Sequence, residues 1–421
     1  MNTKANRRRI VFASGAVLLC TLALTTLSRK DCTEWGFFGH RRLNRLAVFT
    51  LPPEMLFFFK HHIEYLTEHA VDPDKRRYAS RFEAVRHYID LDKWGVYPFD
   101  SLPRVWVDAL LQHASWEIIR AADTLVFTMQ SIPSGDGELR ALSGAAGGSQ
   151  LVDVRNFRWL GYRHLLPQYY EEDWFLSCDT LYTWVGDMGA CDTVRVVDHF
   201  SSHGILPYYL PQHQQRLSQA FRRRDASAIL QLSAELGHYI GDAHVPLHTT
   251  SNYNGQQTDQ LGIHAFWESR IPELFADASY DYFVGKAQYI RDPVNYYWQM
   301  VLESHLLVDS VLAIEKRLSR QFPRDNMYCY DERLGQQLRT QCRDYALAYQ
   351  EAMKGMVEAR WRATIMAIGS AWYTAWVDAG QPDLRSLAGV ASSQEERDAR
   401  RELDRQVEQG RSHGRPHENR R

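Results

Sequence analysis

The sequence predicts an all-α protein, a mostly helical single domain with a metal cluster between its helices and one large insertion. Three observations predict it. Apolar residues recur at helical spacing along most of the 421 residues. Strand-like alternation is scarce. Histidines and carboxylates recur four apart, the spacing that places two side chains on one face of a helix. A hydrophobic fraction of 45%, with 12 Trp, 22 Tyr and 18 Phe, supplies a sizeable core. The net charge of -2 excludes a global basic field for nucleic acid, although metal ions can supply positive charge locally.

From the N-terminus, Lys4, Arg7, Arg8 and Arg9 precede an apolar run from Ile10 to Leu27. This reads as a signal peptide or an uncleaved anchor, near the lower limit of the roughly 20 residues that span a bilayer. Residues 1–34 are therefore a leader and linker, and the chain is expected to be exported: periplasmic, secreted, or anchored facing outward. Arg41 to Phe49 reads as a helix with Leu43, Leu46 and Ala47 on one side; Pro52 and Pro53 then start a helix over Glu54–His69. A loop over Val71–Arg77 leads to His87-Tyr88-Ile89-Asp90. Val105 to Met129 carries a further helical pattern, Ile132–Gln150 reads as a Gly- and Ser-rich surface loop, and Phe157–Val185 has no clear period. Cys178 with Cys191, and Cys329 with Cys342, are spaced to close local disulfides in an oxidising compartment, each stabilising by about 3 kcal/mol. Spacing alone does not fix that connectivity. A helix from about Pro211 to Arg223 is followed by one for which Asp225 is the expected N-cap. Pro293 to Trp376 is helical except around Pro323–Tyr330, and residues 388–421 form a charged tail expected to be disordered.

The helix after Asp225 holds the central motif. His238 and Asp242 lie opposite the apolar line Ile229, Leu236, Ile240, and small Ala234 and Gly241 on their own side leave room for something to sit there. Alone, such a pair is more often an ordinary polar helix face. Three further signatures accompany it: Trp35-Gly-x-x-Gly-His40; His87-Tyr-Ile-Asp90; and Pro246-Leu247-His248 followed by His264-x-x-x-Glu268.

In this order the motifs resemble the superfamily of three-zinc phosphodiesterases, the zinc-dependent phospholipases C and single-strand-specific nucleases. The likeness covers about Trp35–Asp92 and His203–Leu274, within a hydrolase domain over 35–387; about 94–198 has no counterpart and reads as the insertion. The resemblance implies two or three zinc ions. One would be held by Asp72, His87, His238 and Asp242; a second by His248, His264 and Glu268; a third by His40, Asp242 as a bridge, and the backbone of Trp35. Asp72 is preferred to Asp74 for its distance to the His87 motif, and it is the expected catalytic carboxylate that orients or deprotonates water. Asp90 and Asn252 are candidates for fixing histidine tautomers. In the family the tryptophan is the mature N-terminus, whose free amine chelates the third zinc. Here Trp35 follows Thr33-Glu34, so either the chain is trimmed to Trp35 or that site is weakened.

The implied function is phosphodiester hydrolysis by zinc-activated water. Glu268 resembles the phospholipase branch, since the nucleases usually carry Asp there. Phospholipid is therefore the first substrate class and single-stranded nucleic acid the alternative. A reading of another class is a zinc-stabilised, membrane-anchored binding protein without activity. Oligomeric state is not legible.

Overall fold

The structure is a computed structural model that describes residues 37–387, except 122, 132–138, 145–148, 154–157, 166–173, 188 and 334–335, and then 389 and 394–409. Its N-terminal part comprises α1 (Phe37–Ala47), α2 (Pro53–His61), α3 (Ile63–Glu68), the single-turn α4 (Asp72–Arg76) and α5 (Trp106–His113). After the insertion come α6 (Cys178–Val185), α7 (Leu206–Arg223), α8 (Ala226–Ala243) and a one-turn α9 (Ile263–Ala265) that runs through a π-helical turn, Phe266–Arg270, into α10 (Ile271–Ser279). The rest is α11 (Pro293–His305), α12 (Val308–Gln321), α13 (Arg343–Ala352), α14 (Met356–Asp378) and α15 (Gln394–Glu408).

The fold is mostly helical, and α8 is its axis. Every residue from Ser233 to Ala243 is buried, and α1, α3, α7, α11 and α14 pack around it. Asp225 caps it as expected, accepting from Ala228 N at 3.1 Å. The face expected to hold open space holds a helix instead. Asn44 of α1 lies so close to Gly237 that a Cβ there would stand 1.8 Å from its Oδ1, and a Cβ on Gly241 would stand 2.8 Å from His40 Nδ1. Asn44 Nδ2 donates to Ala234 O at 2.9 Å and Leu66 O at 3.3 Å, which pins the crossing.

Two antiparallel sheets correct the all-helical expectation. The helical pattern read over Val105–Met129 ends at His113. Beyond it run β1 (Ser115–Ile119), β2 (Thr124–Ser131), β3 (Leu139–Gly144), β4 (Ser149–Asp153), β5 (Trp174–Leu176) and β6 (Thr193–Val197), in the order β4-β3-β2-β1-β6-β5. The stretch expected as a surface loop thus contains two strands. Trp116, Ile118, Val194 and Val196 point into the core while Glu117 and Arg195 pair on the other face, the period of two that a half-buried strand requires. Ser115 sits opposite Val197, so the insertion leaves and re-enters the helical body at adjacent points. The break near Pro323 leads into a hairpin of β7 (Tyr328–Arg333) and β8 (Gln336–Gln341). The helix expected over Glu54–His69 divides at His62. Within the tail, Gln394–Glu408 is helical, with Lys75 Nζ 2.8 Å from Asp404 and Arg400 against Glu68 and His69.

Both disulfides form, Cys178–Cys191 and Cys329–Cys342, with Cα atoms 6.0 and 5.0 Å apart. They fit an extracellular location. Among the described residues no helix is long and apolar enough to cross a membrane; the run from Ile10 to Leu27 lies outside them.

Candidate metal centre

Asp242 is the middle of the site. One turn of α8 separates it from His238, and both are buried. Its two carboxylate oxygens face different groups. Oδ2 is 2.9 Å from His87 Nδ1 and 3.3 Å from His238 Nε2; Oδ1 is 3.4 Å from His40 Nε2 and 4.0 Å from His248 Nε2. The close approach of α1 across Gly241 delivers His40, whose ring stacks on that of His238 with centroids 4.0 Å apart. The helical turn over Ala84–His87 delivers His87, and the turn over Pro246–Thr249 delivers His248. His264 and Glu268 come from α9 and the π-helical turn, with Nε2 and Oε2 2.8 Å apart. Glu268 also faces His248 at 3.3 Å and His40 at 3.5 Å.

Three sets of donors result: His40, His238, Asp242; Asp74, His87, His238; and His248, His264, Glu268. Asp74, not Asp72, joins His87 and His238, at 3.8 and 3.9 Å. Residues two apart on a helical turn point to opposite sides, so with Asp74 directed at α8, Asp72 turns to His69 Nδ1 (2.5 Å) and Lys75 (3.9 Å). Asp90 is likewise directed elsewhere, 3.3 Å from His203 Nδ1, and Asn252 donates to Thr258 Oγ1. Trp35 lies outside the described residues.

Several buried groups here could hold a metal ion, and the donor chemistry fits one. Ligand atoms at the corners of a tetrahedron with bonds of ~2.0–2.2 Å stand roughly 3.4 Å apart, close to the separations between Asp242 and its partners. His238, His248 and His264 each direct Nδ1 at a main-chain carbonyl, those of Ala70 (2.8 Å), His87 (2.5 Å) and Tyr253 (3.0 Å). A ring that donates from Nδ1 presents a lone pair at Nε2, the tautomer a metal selects. The lone pairs of His248 and His264 then face Glu268, an arrangement of acceptor against acceptor that only a proton or a cation between them relieves, and that of His238 faces both Asp242 and His87 Nδ1, the latter at 3.1 Å. The ionisation of the site says the same. Burial would raise Asp242, but the charges and hydrogen bonds of His238, His248 and His87 hold it well below the usual carboxylate range; His248 and His264 do so for Glu268. Burial would lower His40, yet its bond to Glu268 and the nearby carboxylate charges push it up to about 9. The cluster demands positive charge.

A cavity opens beside this centre, lined by Arg77, His87, Tyr88, His248, Tyr253 and His264. Arg77, itself buried, is 3.6 Å from Asp74, so a guanidinium and the metal donors share one wall. Sequence reasoning placed Arg77 at the end of the loop over Val71–Arg77 and ranked Asp74 second. The pattern Asp74-x-x-Arg77, one helical turn apart, was available for both. No family model matches this chain, and no curated protein or solved structure shows a significant match to it.

Proposed function

We propose that the chain is an exported zinc-dependent hydrolase of phosphodiesters, of the three-zinc phosphodiesterase type. The observation that carries this reading is the division of Asp242 between groups, one oxygen toward His87 and His238, the other toward His40 and His248. A shared carboxylate is what joins adjacent cations into one electrophilic patch. Zinc bound there would polarise a phosphoryl oxygen and acidify water. His/carboxylate sets without thiolate are accepted by zinc.

The chain's own residues do the rest. Arg77 supplies a fixed positive charge and N–H donors at the cavity wall, suited to a phosphodiester anion. Asp74, between Arg77 and His87, is the carboxylate placed to take the proton of the attacking water as its oxygen bonds to phosphorus and the ester oxygen leaves. That role passes to Asp74 because Asp72 is engaged by His69. The Nδ1 bonds of His238, His248 and His264 hold the rings in orientation through the cycle.

The test is metal content of the purified exported protein, with hydrolysis of bis(4-nitrophenyl) phosphate, phosphatidylcholine vesicles and a single-stranded oligonucleotide assayed side by side. Two or three zincs with turnover of one of these, and loss of both in Asp242→Asn, is the expected result. Tight zinc with no turnover of any phosphodiester would favour the binding-protein reading. Absence of metal after purification free of chelators sinks the proposal.

A further inference from the structure

Three of the five histidines around Asp242, namely His238, His248 and His264, direct Nδ1 at a main-chain carbonyl; His87 differs from them. It faces Asp242 and Asp74 with Nδ1, not Nε2, and its Nε2 has no hydrogen-bond partner. What stands behind that nitrogen is Glu83, with Oε1 at 3.6 Å and the side chain one turn earlier on the same helical segment. Glu83 is 2% exposed, and a buried carboxylate survives only where it is paired. Its pairing is unusually complete. Arg86 Nη1 donates to Oε2 at 2.9 Å, Arg76 Nε to the same oxygen at 3.4 Å, and the Tyr239 hydroxyl donates to Oε1. Arg76 is shared in turn with Glu235, 2.6 Å from its Nη1. Two arginines and two carboxylates thus form a balanced cage, and the Oε1 of one carboxylate is aimed at the rear of a metal-facing imidazole.

We propose that Glu83 is a positioning residue for the metal centre: its Oε1, 3.6 Å behind His87 Nε2, is the acceptor that closes on that N–H when a cation is held at Nδ1, and so fixes the tautomer in which Nδ1 is the metal donor. The proposal rests on the metal reading of the site. A ring held between a carboxylate and a cation is a stronger donor than one backed by solvent, and loss of such a partner costs roughly 10–100-fold in metal affinity. The other reading of Glu83 is a counter-charge for Arg76 and Arg86, with no bearing on His87. The two readings separate experimentally, because Glu235 is in the same cage and does not face His87.

Zinc affinity is measured by competition with a chromogenic chelator for the full chain, Glu83→Gln and Glu235→Gln, together with thermal melts and the visible spectrum of the cobalt-substituted proteins. The expected result is a 10–100-fold weaker zinc equivalent and an altered cobalt spectrum in Glu83→Gln, with Glu235→Gln retaining wild-type affinity and spectrum. Equal metal affinity in the two variants, whatever their melting temperatures, overturns the proposal. Glu83→Asp keeps the charge toward both arginines but withdraws from His87, so it should also weaken zinc; unchanged affinity in a folded Glu83→Asp counts against it equally. Wild-type protein that binds no zinc fails the metal reading itself, and this proposal with it.

Discussion

Residue types and spacing in the motif of α8 carry the chemistry, and single substitutions should separate neighbours that look alike in sequence. Asp72 and Asp74 are two apart, yet only Asp74 faces His87 and His238. Asp74→Ala should weaken zinc by an order of magnitude or more, whereas Asp72→Ala should leave affinity within about twofold and cost only its contacts with His69 and Lys75. Titration of both variants against a chelator decides it. Sequence distance to the His87 motif favoured Asp72, which faces His69, because that distance says nothing of which side of a one-turn helix each residue takes. Gly241→Ala would push His40 off its stack, a Cβ there standing 2.8 Å from the ring, so that the donor set containing His40 is lost while His248, His264 and Glu268 keep theirs. Elemental analysis should then show one equivalent fewer. His213, which is not one of these donors, makes a pH prediction. Burial lowers it to about 4 despite Glu235 nearby; its Nε2 lies 3.1 Å from Leu232 O. The unfolded chain takes up this proton from about pH 6.5 downward, the folded one only near 4. Its contribution is therefore fully present above 6.5 and lost as pH falls toward 4, by about 1.4 kcal/mol per unit and on the order of 3 kcal/mol in all. Urea midpoints of wild type and His213→Gln should converge on acidification over that range; a constant gap would refute this.

At the scale of elements, helices were legible wherever periodicity, a cap or a proline marked them, as Asp225 does for α8. The strands were not. Thr193-Val194-Arg195-Val196 alternates correctly, but β6 is five residues long and sits among aromatics that fit no period, and β3 and β4 arise in a stretch whose Gly and Ser content reads as turn. β6 takes its partner β1 from far along the chain, which local patterns do not encode, whereas β3 and β4 pair with each other as neighbours and were hidden by their composition alone. The tail misled for the opposite reason. Its charge density excludes a core of its own, yet α15 docks by charge, with Lys75–Asp404 and Arg400–Glu68, on the segment that carries Asp74. Half-exposed ion pairs contribute roughly 0.2–1 kcal/mol each. A chain ending at residue 389 should therefore lose little in stability but show faster hydrogen exchange over 68–76. Exchange unchanged in that segment would mean that α15 does not restrain it.

For the whole molecule, the adjacency of Ser115 and Val197 makes the sheet an attachment to the helical body, and none of the three candidate donor sets draws on it. Joining these two residues through an Asn-Gly turn should give a protein with unchanged zinc content. Its stability should fall by several kcal/mol, since Trp106 packs edge-on against Trp174 and loses that cover, at about 1.5–3 kcal/mol per large apolar side chain uncovered. Zinc lost along with the sheet would show that the two are interdependent. Within the body, one peptide unit has a wider reach than its size suggests. The ring of His87 faces Asp74 and Asp242, while its own carbonyl takes the Nδ1 bond of His248, and Ile89 N returns to His248 O at 2.9 Å. Anything that settles the torsions of His87 also settles the ring of His248, so occupancy on one side of Asp242 is communicated to the other. Loading should accordingly be cooperative, with half-filled protein scarce at every zinc concentration.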